Sequence, residues 1–237
     1  MSLRQPEGFC IRAVSYFYIY GVIMDKYKIS GGRRLEGCVR IQTAKNSVLP
    51  ILAAAVLTDG AVTVLNVPDI TDVRNMVKIL CRLGCRAAYR GDDIVIDSSC
   101  ADNCEIPRAL AHELRSSVFL LGSVISRFHR ARIAYPGGCD IGLRPVDLHL
   151  TGLKRLGVEI TESNGYITCS CKKLVGNEIM LDCPSVGATE NLMLAAVRAE
   201  GETVIKNAAR EPEIEDLQNF LNSMGAKVCG AGSGTVR

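Results

Sequence analysis

The chain has 237 residues, enough for one large domain or two small ones with a buried core in either case. Hydrophobic residues make up 48% and charged residues 22%, ordinary proportions for a globular protein. The 28 basic and 25 acidic residues nearly cancel, and there are five Phe, seven Tyr and no Trp, so the cationic surface and stacking platform of a dedicated nucleic-acid binder are both lacking.

Residues 13–23 form an apolar stretch too short to span a bilayer. Arg4 and Arg12 precede it in the manner of a signal peptide, but no small-residue cleavage site follows. Met24-Asp25-Lys26-Tyr27 reads as a natural start, so residues 1–23 are expected to be leader or appended sequence outside the fold. Further on, Ala/Leu-rich helices are predicted at 49–57, 109–126 and 189–199, with β-branched runs such as 61–65 and 203–205 following. Second, amphipathic helices are predicted at 73–83, 146–156 and 214–224, and hairpin strands at 86–89 and 94–97 across Gly91-Asp92-Asp93.

The same order recurs. Leu83-Gly84-Cys85, Leu156-Gly157-Val158 and Met224-Gly225-Ala226 end the amphipathic helices alike, and Gly60 and Gly201 precede Gly84 and Gly225 by the same 24 residues. Each of these glycines is expected to take the left-handed conformation that closes a helix. Alternating strand and helix periods specify an α/β fold of three repeated units. The third is expected to be truncated, because the chain turns through residues 230–234 and stops at Arg237 where a final strand should begin.

Eleven cysteines, an odd number, sit largely inside apolar runs such as Cys81 and Cys85. Their spacings match no zinc site, and a long chain with an ample core needs no disulfide framework. They are read as buried small hydrophobes in a reducing compartment, with no metal and no cofactor.

Three segments carry candidate chemistry. In Tyr135-Pro-Gly-Gly-Cys139-Asp-Ile-Gly142-Leu-Arg144-Pro145-Val146-Asp147-Leu148-His149, glycines surround one thiol, and Arg144 can lower its pKa or bind an anion. Pro145 at a helix start leaves N–H groups pointing back at that loop; a plain glycine-rich turn fits the same residues. Lys45 and Asn46 stand at the start of an apolar helix, where anion binding and ordinary capping by Asn46 or Ser47 both fit; Pro50 is placed in its first turn. Pro184-Ser185-Val186-Gly187-Ala188-Thr189-Glu190-Asn191 opens the third such helix in the same way, and Arg115 lies on the second. Each related helix thus offers an anion-friendly feature near one end.

The run 136–149 resembles the catalytic-loop signature of UDP-N-acetylglucosamine 1-carboxyvinyltransferases. Ala44-Lys45-Asn46, Ser185 to Thr189 and Asn207-Ala-Ala-Arg-Glu-Pro-Glu-Ile214 are similar to that family in the same order. The resemblance implies an inside-out α/β barrel domain at 45–237, incomplete at its C-terminus. Residues 24–44 would belong to a second domain otherwise absent. It implies transfer of the enolpyruvyl group of phosphoenolpyruvate to the 3′-hydroxyl of UDP-N-acetylglucosamine in cytoplasmic peptidoglycan synthesis, with no nucleic-acid or membrane partner. Cys139 would be the general acid and the fosfomycin target. Lys45, Arg115 and Arg144 would grip phosphoenolpyruvate, and Asn46 would contact the sugar. Pro145, Val146, Asp147 and Leu148, with Ser185, Val186 and Gly187, would hold the uridine diphosphate. The missing domain would supply the base, so this chain alone is expected to be inactive. Two alternatives stand beside it: a non-catalytic nucleotide-sugar-binding half, and an enzyme like enolpyruvylshikimate-phosphate synthase.

Overall fold

The computed structural model describes residues 12–15, 25–28, 36–39, 41–136 and 146–237, which fall into two units, Met1–Ile41 and Gln42–Arg237. In the first unit β1 (Arg12–Ser15) and β2 (Asp25–Lys28) form an antiparallel ladder with Arg12 opposite Lys28. Four of the residues expected to lie outside the fold therefore take part in a strand pair.

The second unit is built around three helices that bury most of their residues. The first, α1 (Lys45–Ala54), runs into a 3₁₀ turn, Ala55–Leu57, and is followed by β3 (Ala61–Val64). Amphipathic α2 (Thr71–Arg82), β4 (Arg86–Arg90) and β5 (Asp93–Asp97) complete a sheet ordered β3-β5-β4. Next come β6 (Glu105–Ile106), α3 (Arg108–Glu113), a 3₁₀ segment Arg115–Phe119, α4 (Leu120–Phe128) and β7 (Arg130–Ala134). Then α5 (Asp147–Arg155), β8 (Glu159–Ser163) and β9 (Tyr166–Ser170) close a second sheet, β6-β7-β9-β8. The last group is β10 (Glu178–Met180), α6 (Val186–Ala196), β11 (Val204–Lys206), α7 (Pro212–Ser223) and β12 (Thr235–Val236), with its sheet ordered β10-β11-β12. Two helical crossovers join parallel strands, β6 to β7 and β10 to β11; the other pairs are antiparallel.

Helices α1, α4 and α6 pack against one another and supply much of the core, including Leu49, Leu52, Leu121, Ile125, Leu192 and Leu194. Strands alternate as half-buried sheets should: Ile94 and Ile96 of β5, and Ile167 and Cys169 of β9, point inward. The α2 stripe of Val73, Met76, Val77 and Leu80 is buried, which turns Cys81 outward. Reading Cys81 as core was wrong for that reason. Cys85 and Cys169 are buried, whereas Cys38, Cys100, Cys183 and Cys229 are exposed, and all nine described cysteines are free thiols.

Several boundaries depart from expectation. The predicted 109–126 helix breaks at Leu114, whose backbone is extended (φ −139°, ψ 109°) so that its side chain can enter the core at 2% exposure. Helix α1 begins at Lys45, so Pro50 lies past the first turn, where it has no N–H to donate to the Asn46 carbonyl. Gly84, Gly157, Gly201 and Gly225 have φ between +85° and +99°, as helix-closing glycines require. Gly60 has no such conformation: Thr58 Oγ1 donates to the Ala55 carbonyl (3.2 Å) and satisfies that helix end instead. The tail pairs Val236 with Ile205, so β11 is flanked on both sides.

The tightest constraint is where α4 crosses α6. A methyl group on Gly122 would run into the backbone oxygen of Asn191, so only glycine permits this approach. Gly122→Ala should therefore cost about 2 kcal/mol or more, the scale of an overpacked core. Gly60→Ala, with open space around it, should stay within about 0.5 kcal/mol. Urea unfolding of the two variants checks the contrast.

Candidate functional site

A cavity of about 860 Å³ opens where the starts of α1 and α6, the 3₁₀ segment Arg115–Phe119 and the first turn of α5 meet. Lys45 and Asn46 reach it from α1, and Arg115 from the first residue of the 3₁₀ segment. Val146 and His149 come from the α5 end, and Ser185, Val186 and Gly187 from the start of α6. Ser185 caps α6 by accepting from the Ala188 N–H at 3.3 Å. Gly187 keeps the wall thin: a Cβ there would sit 3.0 Å from the Phe119 ring and 3.2 Å from His149 Cε1.

The cavity is lined by both signs of charge. Lys45 Nζ pairs with Asp72 Oδ2 at 2.9 Å, both side chains being substantially exposed, so the pair is weak enough for an anionic ligand to compete. Asn46 Nδ2 donates to Glu213 Oε1 (3.3 Å) and Ser47 Oγ to Asp216 Oδ2 (2.6 Å), which ties α1 to the first turn of α7.

Beneath these groups runs a buried relay. The Gly122 N–H donates to Asn191 Oδ1 at 2.6 Å, which leaves the Asn191 amide nitrogen to donate to His149 Nδ1 at 3.0 Å. Nδ1 is thus the acceptor, and Nε2 of the neutral ring carries the proton. Burial drives the His149 pKa down to about 4, with the Arg115 charge adding to the effect. Glu190 lies one turn into α6 at 1% exposure, and among the described residues neither carboxyl oxygen has a hydrogen-bond partner. Burial pushes its pKa up to about 9, helped by Glu213 and Glu211.

A family profile for EPSP synthase (3-phosphoshikimate 1-carboxyvinyltransferase) matches residues 29–237. The chain belongs to that family. It is 58% identical over 213 residues to UDP-N-acetylglucosamine 1-carboxyvinyltransferase 2 of Caldanaerobacter subterraneus subsp. tengcongensis, covering 90% of this chain and 51% of that protein. It is 50% identical over 214 residues to UDP-N-acetylglucosamine 1-carboxyvinyltransferase of Desulforapulum autotrophicum, with the same coverage. Among solved structures, the enolpyruvyl transferase NikO from Streptomyces tendae aligns with a TM-score of 0.75 at 26% identity, over 87% of this chain and 48% of that one. EPSP synthase from Acinetobacter baumannii aligns at 0.64 and 17% identity, over 84% and 46%. The fold is thus the enolpyruvyl transferase fold. The chain spans about half the length of the curated relatives it matches.

Of the residues expected from sequence, Lys45, Asn46, Arg115, Val146, Ser185, Val186 and Gly187 line the cavity. Asp147 and Leu148 do not: they start α5 beside it, Asp147 exposed and Leu148 half-buried. Cys139, Arg144 and Pro145 lie outside the described residues. His149, Glu190, Glu213 and Asp72 line the cavity as well, although none is among the site residues expected from sequence. The polar residues Glu190 and Asn191 in an otherwise apolar helix were the available signal. Among the described residues no group of three His, Cys, Asp or Glu is arranged to hold a metal, and no helix is long and apolar enough to cross a membrane.

The two buried groups oppose each other in pH. His149 is depressed, so its contribution is present above pH 6.5 and is lost as pH falls from 6.5 toward 4, about 3 kcal/mol in all. Glu190 is raised, so its contribution is present below pH 4.5 and is lost as pH rises from 4.5 toward 9, costing about 3 kcal/mol by pH 7. Glu190→Gln, which carries no titrating proton, should raise Tm at pH 8–9 and flatten its decline between pH 5 and 9. Thermal melts across that range decide it, and an unchanged slope refutes the assignment.

Proposed function

We propose that the protein carrying this chain is a UDP-N-acetylglucosamine enolpyruvyl transferase acting in peptidoglycan synthesis in the cytoplasm. It would move the enolpyruvyl group of phosphoenolpyruvate to the 3′-hydroxyl of UDP-N-acetylglucosamine and release phosphate. The observation that carries this is the convergence of Lys45, Asn46, Arg115 and Ser185 to Gly187 on one cavity from three distant stretches of chain. Preorganised cations and helix-terminal N–H groups are what a multiply anionic substrate pair requires. Relatives at 47–58% identity carry the nucleotide-sugar name, against 17% identity to the solved EPSP synthases, which favours UDP-N-acetylglucosamine over a shikimate acceptor.

On this reading Lys45, Arg115 and Arg144 hold the phosphate and carboxylate of phosphoenolpyruvate, and Asn46 faces the sugar. Residues 145–148 and 185–187 border the uridine diphosphate, with Ser185 and Gly187 leaving room at the start of α6. Cys139, in its glycine-rich loop, delivers a proton to C3 while the 3′-oxygen bonds to C2. Loss of that C3 proton and breakage of the C2–O bond to phosphate restore the double bond. The base that takes the 3′-hydroxyl proton, and further arginines, are assigned to the part of the relatives that this chain does not span. The three sheets with their helices read as three copies of one β-α-β-α-β-β unit, the third represented by β10, α6, β11, α7 and β12. On that reading the starts of α1 and α6 and the 3₁₀ segment that leads into α4 border the cavity at corresponding places.

Titration of the 237-residue chain with UDP-N-acetylglucosamine and with phosphoenolpyruvate, followed by calorimetry, tests the site. Lys45→Ala and Arg115→Ala should each weaken phosphoenolpyruvate binding about tenfold or more, the scale of a charge-assisted hydrogen bond. Brief iodoacetamide treatment should label Cys139 before the other cysteines, and the isolated chain should release no phosphate from the two substrates. Silence at Cys139 with rapid labelling elsewhere counts against the catalytic loop. Binding without turnover by a chain of the relatives' full length favours the non-catalytic reading.

A further inference from the structure

We propose that Glu190 is a binding residue of this cavity, offering a carboxylic acid O–H to an anionic phosphate or carboxylate oxygen of the ligand. The inference rests on the anion-binding reading above and deepens it by adding a donor that carries no charge.

Glu190 follows Gly187 by three residues, so the two share the α6 face that borders the cavity, and both line it. Glu190 also contrasts with its neighbours in the chain. Thr189 Oγ1 accepts from the Ala209 N–H at 3.0 Å, and Asn191 joins Gly122 to His149. Those two buried polar residues are bonded within the fold, as buried polar groups nearly always are. Glu190 between them is equally buried, and neither of its oxygens is bonded to any described residue. A core carboxyl kept for packing would have a partner, because leaving one unmet costs the full desolvation of the group. The residue that carries this unmet group lines the cavity.

Its chemistry follows from what surrounds it. Glu211 and Glu213 approach from the α7 end and raise its proton affinity. Lys45 on α1 is already paired with Asp72, and His149 on α5 is the neutral member of the relay. Arg115 on the 3₁₀ segment is a second cation on the wall among the described residues. An ionised Glu190 would add a third acid to Glu211 and Glu213 and repel an anion. Protonated, it is a donor beside Lys45 Nζ, Asn46 Nδ2 and the Arg115 guanidinium, which line the same space. Four donors facing one space fit a ligand rich in acceptor oxygens.

The test uses the 237-residue chain, UDP-N-acetylglucosamine and phosphoenolpyruvate as separate probes, and calorimetry from pH 5 to 10. Carbon-13 NMR of the glutamate carboxyls supplies a direct readout. The Glu190 carboxyl should titrate far above the ordinary glutamate range, and the cognate probe should shift its titration higher still, since binding takes up the protonated form. Wild-type affinity should fall up to tenfold per pH unit once that titration is passed. Glu190→Gln keeps a neutral donor, so it should bind within about threefold at pH 7 and lose that fall, whereas Glu190→Leu should bind about tenfold more weakly. The probe that responds shows which anion meets Glu190. Wild-type affinity in Glu190→Leu, an unchanged pH fall in Glu190→Gln, or tighter binding of an amine or divalent cation when Glu190 is ionised overturns the proposal. Binding that depends on Lys45 and Arg115 but not on Glu190 removes this inference alone. No binding of either probe by the wild-type chain removes the anion-binding reading as well.

Discussion

Everything at the candidate site depends on how closely α4 and α6 approach each other. At Gly122 the two backbones are in contact, and a single methyl group there would collide with Asn191. That proximity lets the Gly122 N–H bond to Asn191, which then fixes the ring of His149 on α5. One residue without a side chain thereby sets the spacing of two inner helices and the orientation of an imidazole. The gain is entirely geometric. A larger residue would keep the hydrophobic pattern of α4 and lose the arrangement.

The same tight packing explains why polar residues occur inside helices that otherwise bury only apolar surface. Thr189 and Asn191 are affordable because backbone and side-chain partners meet them. Arg127, at the last turn of α4, is likewise held by the carbonyls of Val56, Thr58 and Ser98 and by Asp59. Glu190 differs in being a buried carboxyl with no hydrogen bond to any described residue, and the fold carries that cost at neutral pH. Stability given up at one buried group beside a cavity is a common signature of a site shaped for a ligand.

The electrostatic design is local. Near-neutral overall charge gives no long-range attraction, yet Lys45, Asn46 and Arg115 converge on one space. Acids at Asp72 and Glu213 engage Lys45 and Asn46 in the structure described here. Such contacts hold the cationic and amide groups in position while remaining weak enough to exchange for a ligand oxygen.

The amino-acid order by itself determined the element types, because hydrophobic period and turn chemistry are local. The Asn164-Gly165 turn, both residues at positive φ, and the glycines closing α2, α5 and α7 obey rules that act over a few residues. It also determined the ordered motifs at 44–46, 136–149 and 185–189, from which Lys45, Asn46, Val146 and Ser185 to Gly187 were legible as residues that line the cavity. Tertiary structure alone decided the break at Leu114, since only the core explains why an apolar residue leaves helical geometry to be buried. It decided that Cys81 faces outward while Cys85 is buried, a matter of which helix stripe meets a neighbour. Above all it decided Glu190 and His149. A glutamate in a helix reads as exposed until tertiary packing closes around it, and burial then changes its proton affinity.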